Sequence, residues 1–545
     1  MAHTYATDVL VAGAGPVGLT AAVELRRRGV SCRIVDRLPA RLPFAKAVGI
    51  QPRTLELWDR MGLVRAALEA AVPLRGQLTY VDGAEQPRLD LRLPPEVPYG
   101  FAALPQYETE RILEEFLARF GTAVERGTEL VSFAQDTDGV TSRLLTSSGA
   151  QEEVRTRFLV GCDGAHSTVR KALGLGYEGG AFPEEYMLAD VEVDWDLPHG
   201  YGVRSMHHGA DGAVDDVLVC IPLPGRGRYR MSMVVPPELS PAQQAEAALD
   251  GVAHGLQTAR APGLPDVQTV LDRLSPRPAT ASHIRWASVF RISHRIVDRY
   301  ADGRVFVAGD AAHIHPPTGA QGMNTGIQDA WNLAWKLTLA VDGRARPGVL
   351  ESYDTERRPV GEEVVGRTVR HAAAGVQADP DDPQTVMMRE AQLLVAYRGS
   401  PLVDPPGQGP GPRPGDRAPD CGGLTGQIAA YPLRLYDLLR DRGHVLLVYG
   451  SGDGAGELVR TARESAAGLV EPCLILGSDA PADSEPGALP AYRDTGGEFA
   501  RLYAVDGPTA FVIRPDGHLA ARLAPPAPEA LAAHLATTFA PAPQE

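Results

Sequence analysis

Lysine is almost missing from this chain. Of 53 lysine and arginine residues, only Lys46, Lys171 and Lys336 are lysine. The skew reads as coding bias rather than chemistry, but it makes a lysine near a ligand noticeable. Cysteine is scarce too. Cys32, Cys162, Cys220, Cys421 and Cys473 form no CxxC pair and no metal-ligand spacing. That argues against a disulfide scaffold or a zinc site and points to reduced thiols in a cytoplasmic protein. No apolar run approaches the roughly 20 residues of a membrane span, and the N-terminus lacks the basic stretch of a secretory signal. Positive charge is outweighed by 68 acidic residues, for a formal net charge of -15, so nucleic acid and anionic membranes are poor partners. Neither GxSxG nor HExxH occurs, which leaves the hydrolase chemistries of those motifs without support.

What remains is a globular composition, 44% hydrophobic and 22% charged, in 545 residues. Such a length calls for two or three domains. Asp8 to Ala12 reads as a buried strand, Pro16 to Arg28 as an amphipathic helix and Ser31 to Asp36 as a second buried strand. This βαβ start implies an α/β fold with a parallel sheet. From Met187 to about Val235 the texture changes to alternating strands, as in an antiparallel sheet with one buried face. Residues 401–420 are rich in proline and glycine and read as a linker or extended arm. Beyond them, Thr509 to Leu523 places two apolar strands around the turn Pro515-Asp516-Gly517.

Three motifs carry chemistry. The first, GAGPVG, sets Gly13, Gly15 and Gly18 between a strand and the helix that begins with Pro16 and Val17. Gly13 permits the tight turn, Gly15 lets backbone approach a pyrophosphate and Gly18 lets helix pack on sheet. Asp36 ends the next strand at about the 20-residue offset expected of an acid that binds ribose hydroxyls, and Arg37 beside it could stack on adenine. The second is CDGAHSTVR, Cys162 to Arg170, after a strand. The third is GRVFVAGDAAHIHPPTGAQGMNTGIQDAWNLAWKL, Gly303 to Leu337: a buried strand, Asp310, a Pro/Gly loop and an amphipathic helix with Ile327, Ala330, Trp331, Ala334, Leu337 and Val341 on one face. This layout can aim one carboxylate and one positive helix end at the same ligand. His313 and His315 have no acidic or cysteine partners at ligand spacing, so they read as loop-packing residues and no metal is expected.

In this order, the motifs resemble those of the single-component FAD-dependent aromatic hydroxylases, nearest to the phenol and aromatic-polyketide hydroxylases. The resemblance implies a discontinuous Rossmann-like FAD-binding domain (1–175 and 286–400) with an inserted antiparallel-sheet substrate domain (176–285). A 401–420 linker and a thioredoxin-like domain without CxxC (421–545) follow. It places Asp163 between FAD and the nicotinamide path, Asp310 on a ribityl hydroxyl, and Gln106 and Lys46 near the flavin. It also places the loop of Pro316, Pro317, Gly319, Gln321, Gly322, Met323 and Asn324 along the flavin edge. Relatives have a second glycine where Ala320 stands, arginine in place of Lys46, and glutamate in place of Asp36.

The implied reaction reduces FAD with NADPH, which visits transiently, and then uses O2 to form a flavin C4a-hydroperoxide that hydroxylates a phenolic or polycyclic aromatic. No side-chain nucleophile is then expected, because the cofactor does the difficult chemistry. Alternatives on the same scaffold are Baeyer–Villiger insertion, oxygenation that modifies an antibiotic, and a flavin-binding protein that does not oxygenate. Tyr229, Met231, Met233, Phe290 and His294 are the candidate substrate contacts, and a monomer or homodimer is expected.

Overall fold

A computed structural model describes residues 5–212, 214–235, 262–374, 379–407, 409–426, 428, 431–450, 454–480 and 489–541. Residues 236–261 of the expected substrate domain lie outside the described residues.

The apolar run of Thr7–Ala12 forms a strand at the centre of the first sheet. It pairs in parallel with Cys32–Asp36 on one side and Gln151–Gly161 on the other, and Val305–Val307 adds in parallel beyond Gln151–Gly161. These strands are buried on both faces, as a parallel sheet covered by helices requires. Their shared direction has a consequence for function. Gly13, Asp36, Cys162 and Gly309 all follow the carboxyl ends of adjacent strands, so motifs about 150 residues apart in sequence meet at one edge. Helix Pro16–Arg27 packs against helix Gly322–Val341 over this sheet.

The second sheet is largely antiparallel. Its long strands Tyr177–Val193 and Ala281–Val297 pair with each other, and Arg228–Val234, Val214–Pro222 and Tyr201–His208 follow in order. One face is closed by helix Leu264–Leu274, whose Val267, Val270 and Leu271 share a core with Met187, Met231, Met233 and Leu218. Two features depart from the sequence reading. Gly76–Val81 pairs in parallel with Tyr201–His208, so the first segment also contributes to this sheet. Ala281–Val297 also runs without a break through the expected boundary at 286.

The C-terminal unit is a six-stranded sheet with Val470–Leu476 and His444–Tyr449 at its centre, flanked by helices in a thioredoxin-like layout. The segment expected to be a linker lies along this unit. Asp404, Gly415 and Ala418 donate backbone N–H groups to Ala520, Leu519 and Gly517.

Candidate active site

The glycines of the first motif are held by close contacts. Gly13 has φ +97°, and a Cβ there would sit 2.3 Å from the carbonyl oxygen of Cys162. A Cβ on Gly18 would sit 1.9 Å from the Gly13 carbonyl oxygen. Gly309 has φ +60°, and its Cβ would meet Val17 at 2.8 Å, while Gly326 faces Gly309 at 2.9 Å. All three motifs therefore interlock around one turn of backbone. Gly15 is different: a Cβ there would meet nothing within 4 Å. It stands at the start of helix Pro16–Arg27, which has no side-chain cap and no acid in its first turn. Open space against an uncapped positive helix end could hold an anionic group such as a diphosphate.

Asp36 lies at this edge, with its carboxylate accepting from the backbone N–H of Ala14 at 2.7 Å and of Leu38 at 2.8 Å. A carboxylate has about four acceptor positions, so two remain for ribose hydroxyls. Arg37 and Lys46 are exposed. Gln106 links to the Lys46 segment by accepting from Ala47 N–H at 3.3 Å and donates to Glu110 at 2.9 Å. Burial pushes the Glu110 carboxyl up to about 7. Asp163 accepts from the Ser167 hydroxyl and from the N–H groups of Thr168 and Val169, fixing its turn.

Asp310 is exposed at the end of its strand, while the backbone beneath it rests on a buried ionic knot. Asp329 accepts from Gly309 N–H at 3.1 Å, pairs with His313 Nε2 at 2.8 Å and accepts from Arg357 Nε at 2.8 Å. Burial alone would raise the Asp329 carboxyl, but Arg357 and His313 outweigh it and hold it below the ordinary carboxylate range. His313 is thus a structural hydrogen-bond partner of Asp329. His315 is half-buried, its Nδ1 against the Pro316 carbonyl at 3.0 Å, and burial near His313 pushes its imidazole down to about 4. Among the described residues, no cluster of three histidine, cysteine or acidic side chains could hold a metal ion.

The loop from Pro316 to Asn324 is shaped by side chains that turn inward. Gln321 and Asn324 are fully buried. Gln321 donates to the Gly319 carbonyl and to Glu390, and accepts from Gln392. Asn324 donates to the Gly49 and Ala320 carbonyls and accepts from Gln51 and Thr54. Neither amide is free to reach a ligand. Pro316 is buried beside the exposed Pro317 and Gly319, and Met323 is half-buried. Gly319 at φ +70° and Ala320 at φ +54° are both left-handed. Helix Gly322–Val341 begins here with no side-chain cap and no acid in its first turn, a second positive end at the same edge.

The sheet above the site requires a correction. Tyr229, Met231 and Met233 belong to the core beneath helix Leu264–Leu274, because alternation turns odd positions of that strand away from the cleft. The opposite, cleft-side face, which meets Phe44 and Tyr107 of the first domain, carries Arg228, Arg230 and Ser232, with Tyr186, Trp286 and Phe290 on neighbouring strands. Phe290 packs against Tyr186 at 6.1 Å between centroids, and the half-buried His294 packs against Phe182. On this side Trp286 stacks on Phe44 at 5.0 Å, next to the Lys46 segment.

Comparison with known proteins identifies the family. The FAD binding domain family matches residues 6–368. A flavin-dependent monooxygenase of Mycobacteroides abscessus is 36% identical over 457 residues, covering 81% of this chain and 88% of that protein. The 6-methylpretetramide 4-monooxygenase of Streptomyces rimosus is 35% identical, covering 94% and 90%. The crystal structure of aklavinone-11 hydroxylase with FAD and aklavinone superposes with a TM-score of 0.76 at 26% identity, covering 98% of this chain and 99% of that one.

Proposed function

Because this chain belongs to the FAD binding domain family, among flavin-dependent aromatic monooxygenases, we propose that it hydroxylates a phenolic or polycyclic, polyketide-like aromatic. NAD(P)H would serve as reductant and O2 as oxidant. The observation that carries the reading is the interlock of Gly13, Cys162 and Gly309 at one sheet edge, between two uncapped helix starts.

The residues present fit FAD. Gly13, Gly15 and the first turn of Pro16–Arg27 would hold its diphosphate, Asp36 its ribose, and Asp310 a ribityl hydroxyl. When bound, FAD would supply hydride acceptance and oxygen activation. The chain's own work is positional. The N-terminus of Gly322–Val341 stabilises negative charge at the loop edge without a mobile counter-ion. Gln321 and Asn324 fix that loop from within, and Asp329 fixes the backbone on which Asp310 sits. Trp286, Phe290 and Tyr186 offer an apolar, aromatic wall that orients a flat ring and excludes water.

The test is NADPH consumption by the flavin-loaded protein under air, with a panel of phenols and polycyclic quinones, followed by mapping of the inserted oxygen. Strong stimulation by one ligand class, with a ring hydroxyl in the product, is expected. Insertion between a carbonyl and its neighbour would replace hydroxylation with Baeyer–Villiger chemistry. Failure of NADPH to reduce the bound flavin with every ligand would overturn the reading.

A further inference from the structure

On the cleft-side face of the second sheet, Arg230 is only 5% exposed. Among the described residues it makes no hydrogen bond or ion pair, and its Nε is sealed from solvent without a partner. The nearby carboxylate is spoken for: Asp190, opposite Arg230 in register, is paired to Arg228. Arg204, on the same face two strands away, likewise has no carboxylate partner, and burial lowers its guanidinium below the ordinary arginine range. Burial also lowers Arg230, to about 10. Several other buried arginines, Arg357, Arg417 and Arg514 among them, are each paired to a carboxylate, whereas Arg60 has only the Arg514 carbonyl at 3.4 Å. A desolvated cation without an anion is expensive to maintain unless a ligand completes the pair.

We infer that Arg230, supported by Arg204, is a binding site for a planar oxyanion on the aromatic substrate, either a carboxylate or the ionised enol of a vinylogous acid. This rests on the proposed function only in taking the cleft as the substrate site. A guanidinium presents a planar fork that matches two oxygens sharing one charge. The aromatic side chains Trp286, Phe290 and Tyr186 on the same face would flank the ring that carries it. The substrate would then be held by its acidic edge as well as by its flat surface. A neutral polycycle would leave the cation unpaired and bind poorly.

Calorimetric titration of the FAD-loaded protein, without NADPH, separates this inference from the oxygenation reaction. The probes are anthraquinone carboxylate with its methyl ester, and lawsone with its methyl ether. Wild type is expected to bind at least one acid about tenfold or more tightly than its neutral partner, with a preference that shrinks as salt is raised. Arg230→Gln should erase the preference while FAD stays bound, and Arg230→Lys should retain part of it. The carboxylate and enol pairs show which source of the oxyanion is accepted. Equal binding of acid and neutral partner in both pairs by wild type would overturn the inference even if Arg230→Gln fails to fold. An undiminished preference in a folded Arg230→Gln protein would overturn it equally.

Discussion

Replacing Asp329 with asparagine should be far more damaging than its conservative shape suggests. The carboxylate is fully buried and serves three donors at once, Gly309 N–H, His313 and Arg357. Asparagine keeps the volume and removes the charge. Arg357 is then left buried with the Tyr397 hydroxyl at 3.0 Å and the Thr325 carbonyl at 3.1 Å as its remaining partners. Removing one member of a buried ion pair costs about 3–5 kcal/mol. Part of that loss reaches the site, because Gly309 N–H also loses its anionic acceptor and the turn under Asp310 loosens. FAD affinity should weaken about tenfold, or roughly 1.4 kcal/mol. Denaturant midpoints and flavin fluorescence on release measure the two effects separately. The double variant Asp329→Leu with Arg357→Met replaces the pair by apolar volume and should recover much of the stability. It should not recover FAD affinity, since Gly309 N–H stays unpaired. If Asp329→Asn lies within about 1 kcal/mol of wild type, well short of the buried-pair range, and FAD affinity is unchanged, the knot does not support the Asp310 turn.

Three further outcomes follow from buried or strained positions. Glu110 has its folded pKa raised to about 7, so its contribution to stability is present below the unfolded value and lost as pH rises through 7. Glu110→Gln should therefore raise the melting temperature at pH 8 and change it little at pH 5, a gain on the order of 1–3 kcal/mol; equal shifts at both pH values would count against burial as the cause. His444, packed edge-on to Trp335 and Phe539, is pushed down to about 3 by burial. The unfolded imidazole takes its proton near 6.5 and the folded one does not, so stability should fall from about pH 6.5 toward 3, by roughly 1.4 kcal/mol per unit. His444→Leu should flatten that slope in denaturant midpoints collected between pH 7 and 4. Ala320→Gly should be neutral to stabilising by about 1 kcal/mol, because alanine at φ +54° carries left-handed strain. A clear loss of stability in thermal unfolding would show that the methyl group packs usefully against Gly49.

Local rules made the first sheet legible. An apolar strand, a glycine turn and an amphipathic helix follow one another in the stretch that begins at Asp8, and a parallel sheet forces its loops to one edge, so Gly13 and Asp36 could be placed together from local rules; adding Asp310 to them rested on the family resemblance. What local rules could not supply was pairing between distant segments. Nothing in Gly76–Val81 announces that it will extend a sheet built from residues after 176. The alternation of Arg228–Val234 was plain, yet which parity faced the cleft depended on where helix Leu264–Leu274 docks, a tertiary fact. The same limit hid the roles of Gln321 and Asn324. Their motif marked them for the flavin loop, but their amides are turned inward by Gln51, Gln392 and Glu390, which no spacing rule links to them.

The C-terminal unit reaches into the first domain through its hairpin turn. Pro515-Asp516-Gly517 does form the hairpin turn, but it is buried in the first domain. Trp331 donates to the Pro515 carbonyl at 3.1 Å, Trp335 to Asp516 at 3.2 Å, and Arg53 to the Asp516 carbonyl at 2.7 Å. Arg514 beside it pairs with Glu356, which also holds the buried Lys336 at 2.8 Å. Helix Gly322–Val341 is therefore anchored at its middle by residues from the far end of the chain, while its N-terminus follows the Pro316–Gln321 loop. A buried cluster of this kind tolerates no loss of a single member, so the hairpin is a fixed strut of the oxidative domain. Through Arg514, Pro515 and Asp516 this unit braces helix Gly322–Val341.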